Sequence, residues 1–233
     1  ICFTKLMETN IKKNHRKELK ELEVTLKEIG LSNLGMFQIN PRDKILKGFK
    51  SLLLIGPDEP HFWEKFKKSY EYKCVSKDPL DHWSKNKITE LAKDVGARPF
   101  FPFQENPVFP FYSWALISKR IWTSPVNLLV HAERGLMVSF RGALAFKQNL
   151  VDDIIPTKRY TNPCIRCIAP CLSSCPVGAL TAKKYDVGKC QAYVKSPAGS
   201  SCKDGCLVRR SCPVGKDFRQ KEQSSFHMRA FLR

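Results

Sequence analysis

Residues 164–178 read Cys164-Ile-Arg-Cys167-Ile-Ala-Pro-Cys171-Leu-Ser-Ser-Cys175-Pro-Val-Gly178. The spacing is C-x2-C-x3-C-x3-C, with proline directly after the last cysteine. A second set follows as Cys190, Cys202, Cys206 and Cys212. Cys212 is again followed by Pro-Val-Gly, so the tetrapeptide Cys-Pro-Val-Gly stands at 175–178 and at 212–215. This internal repeat implies two similar half-sites facing one another. Small residues, Cys, Pro and Gly dominate residues 164–215, and few apolar residues are free to form a core. Something other than hydrophobic burial must hold this segment together.

Three chemistries use eight close cysteines. Disulfides need an oxidising compartment. The stretch to Arg16 is basic and lacks the apolar centre of a secretory signal, so a reducing compartment is expected, the cytoplasm or an organelle matrix. Structural zinc is held by pairs of closely spaced cysteines, and several such pairs exist here, but zinc does not require a proline after the last ligand. Iron–sulfur clusters fit the pattern best: closely spaced thiolates clasp three corners and a remote Cys-Pro closes the cube. The proline fixes φ and turns the chain away. Gly178 and Gly205 are expected to let the backbone approach the sulfurs. Cys2 and Cys74 have no partner at ligand spacing and read as ordinary thiols.

Outward from the cysteines the composition changes. The chain has 233 residues, 42% of them hydrophobic, with 15 Phe and 4 Trp, which is enough for a packed core. No apolar run is long enough to span a membrane. Residues 1–14 read as a basic, flexible tail and residues 15–150 as an α/β domain. Helices are expected over 15–30, 59–70 and 80–95, and strands over 33–40 and 51–56. Residues 98–112 hold four prolines and five phenylalanines and read as a packed loop. Strands are expected over 126–131 and 136–146, around a turn at Glu133-Arg134-Gly135. Residues 151–163 read as a linker, 164–215 as the cysteine module, and 216–233 as a helical tail in which Phe226, Met228 and Phe231 pack back. The expected class is thus α+β or α/β, with an N-terminal α/β domain and a small module carrying two clusters.

The 40 Lys and Arg against 22 Asp and Glu leave a net charge of +18, of which +12 falls in residues 101–233. Lys183, Lys184, Lys189 and Lys195 lie within the cysteine module; Arg209, Arg210, Lys216, Arg219 and Lys221 lie around its end. Such a rim would steer an acidic partner, a flavodoxin or ferredoxin donor, or RNA through its phosphates. No Gly-rich phosphate loop is present. His131 reads as a turn histidine or, less simply, a proton-relay residue. His227 reads as packing. Phe100, Phe101, Phe103, Phe109, Phe111, Tyr112 and Trp114 read as a packed aromatic loop, or as the floor of a flat cofactor pocket.

The arrangement of the cysteines is similar to that of two-cluster ferredoxins, in which the cysteine before proline ligates the other cluster. That similarity implies a [4Fe-4S] cluster on Cys164, Cys167, Cys171 and Cys212, and another on Cys175, Cys190, Cys202 and Cys206. The order of four cysteines, then Cys190-Gln-Ala-Tyr193, then two close cysteines, then Cys-Pro resembles the ferredoxin module of epoxyqueuosine reductase and the related reductive dehalogenases. Residues 26–37 (LKEIGLSNLGMF) and 128–146 (LLVHAERGLMVSFRGALAF) resemble the opening helix–strand and the last strands of that family's first domain. The chain as a whole resembles small two-cluster ferredoxin-type proteins of proteobacteria. The resemblance implies electron transfer through two clusters to a reductive reaction on an N-terminal domain that holds cobalamin. The family's acidic proton donor would fall near 102–111, where Glu105 is the only carboxylate. Two alternatives are a non-enzymatic electron carrier or assembly factor, and an RNA-binding protein with structural clusters.

Overall fold

A computed structural model describes residues 2–75, 77–151, 159–218 and 220–233, with side chains from residue 15 onward. Most of the expected 151–163 linker, together with Arg219 and the Cys2 side chain, lies outside the described residues or side chains. The elements run α1 (Cys2–Glu28), β1 (Leu31–Gln38), β2 (Ser51–Pro57), α2 (His61–Lys67), α3 (Tyr70–Cys74), α4 (Pro79–Asp94), β3 (Arg98–Phe100), α5 (Phe111–Ile117), β4 (Ile121–Thr123), β5 (Leu129–His131), β6 (Gly142–Phe146), α6 (Val187–Lys195), α7 (Ser200–Lys203), α8 (Leu207–Arg210) and α9 (Lys221–Phe231). The first helix begins at Cys2 rather than near His15, so the basic stretch expected as a tail is helical.

The chain forms two compact units. One comprises Ile1–Phe111 with Phe140–Arg159, the other Tyr112–Ser139 with Tyr160–Arg233. This corrects the expectation of one continuous domain over 15–150, because 112–139 belong with the cysteines.

The first unit is built on a four-stranded sheet in the order β1-β2-β6-β3, with every neighbouring pair antiparallel. The class is mixed α+β. Its centre is β2, SLLLIGP, buried along its whole length. Leu53 stands opposite Met36 on one side and Leu144 on the other. A continuous apolar strand tolerates this position because both faces are covered. The sequence GALAF of β6 is also fully buried. Gly142 leaves little room for a side chain there: a Cβ would come within 2.7 Å of Ile88 Cδ1 and 3.1 Å of the Phe100 carbonyl. Pro99 lies in β3, the sheet edge, where a strand can do without one N–H.

Helices cover the sheet with an aromatic cluster. Phe62 and Phe66 of α2 meet Trp83 of α4 edge-on at 5.4 and 5.8 Å, and Phe66 meets Tyr72 of α3 at 5.3 Å. Arg141 pairs with Asp81 at 3.0 Å; burial lowers its pKa, and Asp81 works against that by raising it. The aromatic loop after α4 contributes Phe100 and Phe101 to the core, and Phe100 packs edge-on against Phe109 at 4.8 Å. The packed-loop reading holds for most of 98–112, although its first three residues form β3 and α5 starts at Phe111.

The expected hairpin of 126–131 with 136–146 does not form. Instead β5 pairs with β4, and His131 bridges Gly135. The small apolar residues of β6 are taken up in the other unit's sheet. The second unit otherwise consists of short helices and turns, with one isolated bridge between Leu180 and Tyr185. Among the described residues no helix is long and apolar enough to cross a membrane.

Candidate metal centre

The cysteines sit at turns rather than inside long elements. Cys164 and Cys167 flank a turn closed by Cys167 N–H to the Cys164 carbonyl at 3.3 Å. Asn162 holds its start, accepting from Cys164 N–H at 2.9 Å. Cys171 lies in a single 3-10 turn, Pro170–Leu172, entered through Ala169 at φ +52°. Cys175 opens the first Cys-Pro-Val-Gly turn. Cys190 lies on α6, whose first turn is capped by Asp186 accepting from Lys189 N–H at 2.9 Å. Cys202 lies on α7, Cys206 immediately precedes α8, and Cys212 opens the second Cys-Pro-Val-Gly turn.

These turns gather the thiols into two groups. Burial pushes the Cys164 thiol up in pKa, and Cys167, Cys212 and Cys171 push it the same way. Cys171 is raised by burial and by Cys212 and Cys167, against backbone N–H groups that lower it. Burial raises Cys190, a hydrogen bond from Tyr185 lowers it, and Cys206 and Cys175 raise it. Cys202 is raised by burial, lowered by the Leu207 N–H, and raised by Cys206, Cys190 and Cys175. Every thiol neighbour named here belongs to the same group of four. The structure therefore brings Cys164, Cys167 and Cys171 together with the remote Cys212, and Cys175 together with Cys190, Cys202 and Cys206.

The two groups differ in surroundings. Cys164, Cys167, Cys171 and Cys212 line a cavity whose other walls include Pro125, Val130, Leu136 and Pro213, with Ser124 as a polar member. The void left between them is small, about 20 Å³, close to the size of one water. Cys171 and Cys212 are themselves part of the buried core with Val126, Val130, Leu136, Leu180 and Val208. Around the second group lie polar partners. Tyr185, partly exposed, stands with its hydroxyl near Cys190, and partial burial followed by that neighbour pushes its phenol above the ordinary range. Arg209 stands beside Cys206 and Tyr185; burial lowers its pKa, and those two neighbours raise it.

Backbone N–H groups reach the sulfurs. Ala169 N–H donates to Cys167 Sγ at 3.3 Å and Ala179 N–H to Cys175 Sγ at 3.2 Å. Burial raises Cys175, but N–H groups of Leu180, Val177, Ala179 and Gly178 overcome it and leave its pKa lowered. Such donors favour a thiolate, the form that binds metal. Among the described residues no three His, Cys, Asp or Glu side chains stand close enough to share a single metal ion.

The 131–135 turn is pressed against the second Cys-Pro-Val-Gly. His131 is buried, and its Nδ1 accepts from the N–H groups of Glu133 and Arg134 at 3.1 and 3.3 Å. It is a turn histidine that shapes this loop. At Gly135, φ +55°, a Cβ would lie 2.7 Å from Cys212 Sγ and 2.4 Å from the Val214 carbonyl oxygen. At Gly215, φ +74°, a Cβ would lie 2.2 Å from the Arg134 carbonyl oxygen. Gly178, at φ +60°, has nothing within 4 Å of a Cβ yet turns its N–H toward Cys175 as expected, whereas Gly205 meets Ser224 of α9.

The C-terminal helix completes the unit. Phe231 stacks on Tyr185 at 6.4 Å, its carbonyl accepts from Gln191 at 2.7 Å, and Lys221 pairs with Asp204 at 3.0 Å. Cys74 is exposed and lies in the other unit. Tyr185 and Ser124 are not picked out from sequence, and Arg209 is named there only as part of a basic rim. The Tyr185-to-Cys190 interval of five residues, across a helix cap, is the one local signal that could have found the first.

Compared with known proteins, the chain matches no family model, no curated protein and no solved structure.

Proposed function

We propose that this chain binds two [4Fe-4S] clusters and transfers electrons through them. The observation that carries the reading is the sorting of eight cysteines into two groups of four, each closed by a cysteine remote from its main run. Cys164, Cys167, Cys171 and Cys212 would hold one cluster, and Cys175, Cys190, Cys202 and Cys206 the other. The donor set fits in chemistry: thiols supply every ligand and backbone N–H groups point at sulfur, while the void of about 20 Å³ among the first four would have to widen to take a cluster. Bound there, a cluster supplies one-electron reduction and oxidation. The chain's part would be to hold the thiolates and donate hydrogen bonds that stabilise negative charge. Exposed Arg166, Lys183, Lys184, Lys189 and Lys216 around these turns suit an acidic donor protein such as a flavodoxin or ferredoxin.

The likeness of the cysteine order to epoxyqueuosine reductase extends this reading to a reductive reaction on the first unit. A cleft there, lined by Ile45, Arg98, Phe100, Gln104, Val108 and Phe109, has a volume of about 290 Å³. That is at the small end for drug-sized ligands, and a corrinoid is larger, so no step is assigned to cobalamin in this cleft. Electron carriage to a partner is the reading supported best.

Anaerobic reconstitution tests the proposal. The expected result is about eight irons per chain with a broad visible charge-transfer band. Cys190→Ala should lose about half the iron. Two zincs bound in preference to iron would overturn the assignment. A cobalamin titration followed by absorbance separates carrier from corrinoid reductase, the carrier giving no spectral change.

A further inference from the structure

The apolar cavity around Cys164, Cys167, Cys171 and Cys212 has one polar side chain besides the thiols. Ser124 follows β4 and is 5% exposed. Its backbone is fully engaged: its N–H donates to the Leu128 carbonyl at 2.8 Å, and its carbonyl accepts from Asn127 N–H at 2.9 Å. Its hydroxyl is buried and has no hydrogen-bond partner among the described residues. The remaining walls, Pro125, Val130, Leu136, Ala169, Pro170 and Pro213, offer no side-chain acceptor. A hydroxyl left unbonded in such a place is destabilising. A serine is therefore poorly explained there by packing alone, where alanine would serve.

We infer that the Ser124 hydroxyl is a hydrogen-bond donor to a sulfur of the group held by Cys164, Cys167, Cys171 and Cys212. This rests on the cluster reading above. The bonded sulfur would be a cluster sulfide, since no cysteine sulfur is a hydrogen-bond partner of the hydroxyl among the described residues. One-electron reduction, with dithionite as the reductant, takes the cluster from 2+ to 1+ and adds negative charge to those sulfurs. A donor in a dry site stabilises the reduced form more than the oxidised one, which raises the reduction potential. Ser124 is thus a tuning residue for one cluster and leaves the other alone.

The test is a mediated redox titration of reconstituted protein followed by electron paramagnetic resonance, comparing wild type, Ser124→Ala and Ser124→Thr. With Ser124→Ala, one of two midpoint potentials should shift lower while the other stays, at unchanged iron content. Ser124→Thr keeps the hydroxyl and should restore the wild-type value. Eight irons in Ser124→Ala with neither potential moved would overturn the inference while leaving the cluster reading intact. Wild-type protein that takes up no iron would instead sink the cluster reading. If Ser124→Ala loses half its iron, retention by Ser124→Thr supports the hydroxyl's role, and equal loss in both variants overturns it.

Discussion

The two units keep their shape by different means. The first buries β2 and β6 along their whole lengths, and its interior is largely aliphatic and aromatic, with Phe62, Phe66 and Trp83 among its buried side chains. The second has three-residue strands and two four-residue helices, and its buried cluster counts Cys171 and Cys212 among its members. One core is complete in carbon; the other is finished by sulfur. On the cluster proposal, a unit of the second kind depends on its iron, because metal-binding free energy would then be folding free energy.

The largest effect that would break this comparison is iron removal. Chelation of the reconstituted protein should abolish amide-exchange protection over 164–215 while β2 stays protected. Equal loss in both regions would refute the contrast. Phe62→Ala makes the converse case. It should cost the first unit about 3–5 kcal/mol, read by denaturant unfolding, with iron content unchanged. Gly135→Ala tests the contact between the 131–135 turn and Cys212. Its positive φ and the backbone of Val214 both oppose a side chain, for a loss of roughly 1–3 kcal/mol, and iron should leave the first thiol group before the second. The smallest effect sharpens the difference between the two groups. Tyr185→Phe removes the hydroxyl near Cys190 and should lower one cluster potential with full iron retained. A potential unmoved in Tyr185→Phe would mean that the hydroxyl does not act on the cluster.

Much of the outline was legible because it is local. Apolar runs such as SLLLIG mark a buried strand, Gly96 ends the helix over Pro79–Asp94, and proline-dense 98–112 stays largely irregular. The likeness to two-cluster ferredoxins implied that Cys212 joins the first three cysteines, and these four line one cavity. The hairpin expected around Glu133–Gly135 failed because local pattern cannot say which sheet a strand joins. Residues 126–131 and 136–146 both read as strands, yet β6 is claimed by β2 and β3 while β5 turns to β4. The basic stretch before His15 was read as a tail because its residues are charged, and charge alone does not prevent a helix from continuing.

By itself the sequence determined the cysteines, their spacing and the repeat of Cys-Pro-Val-Gly, because these are covalent facts that fix how thiols can be presented. Only the tertiary structure decided that 112–139 belong with the cysteines, since Gly135 meets Cys212 through packing between segments far apart in the chain. It also decided which donors stand beside which sulfurs. Tyr185, Arg209 and Ser124 are ordinary residues in sequence and acquire their chemistry from where the folded chain sets them down.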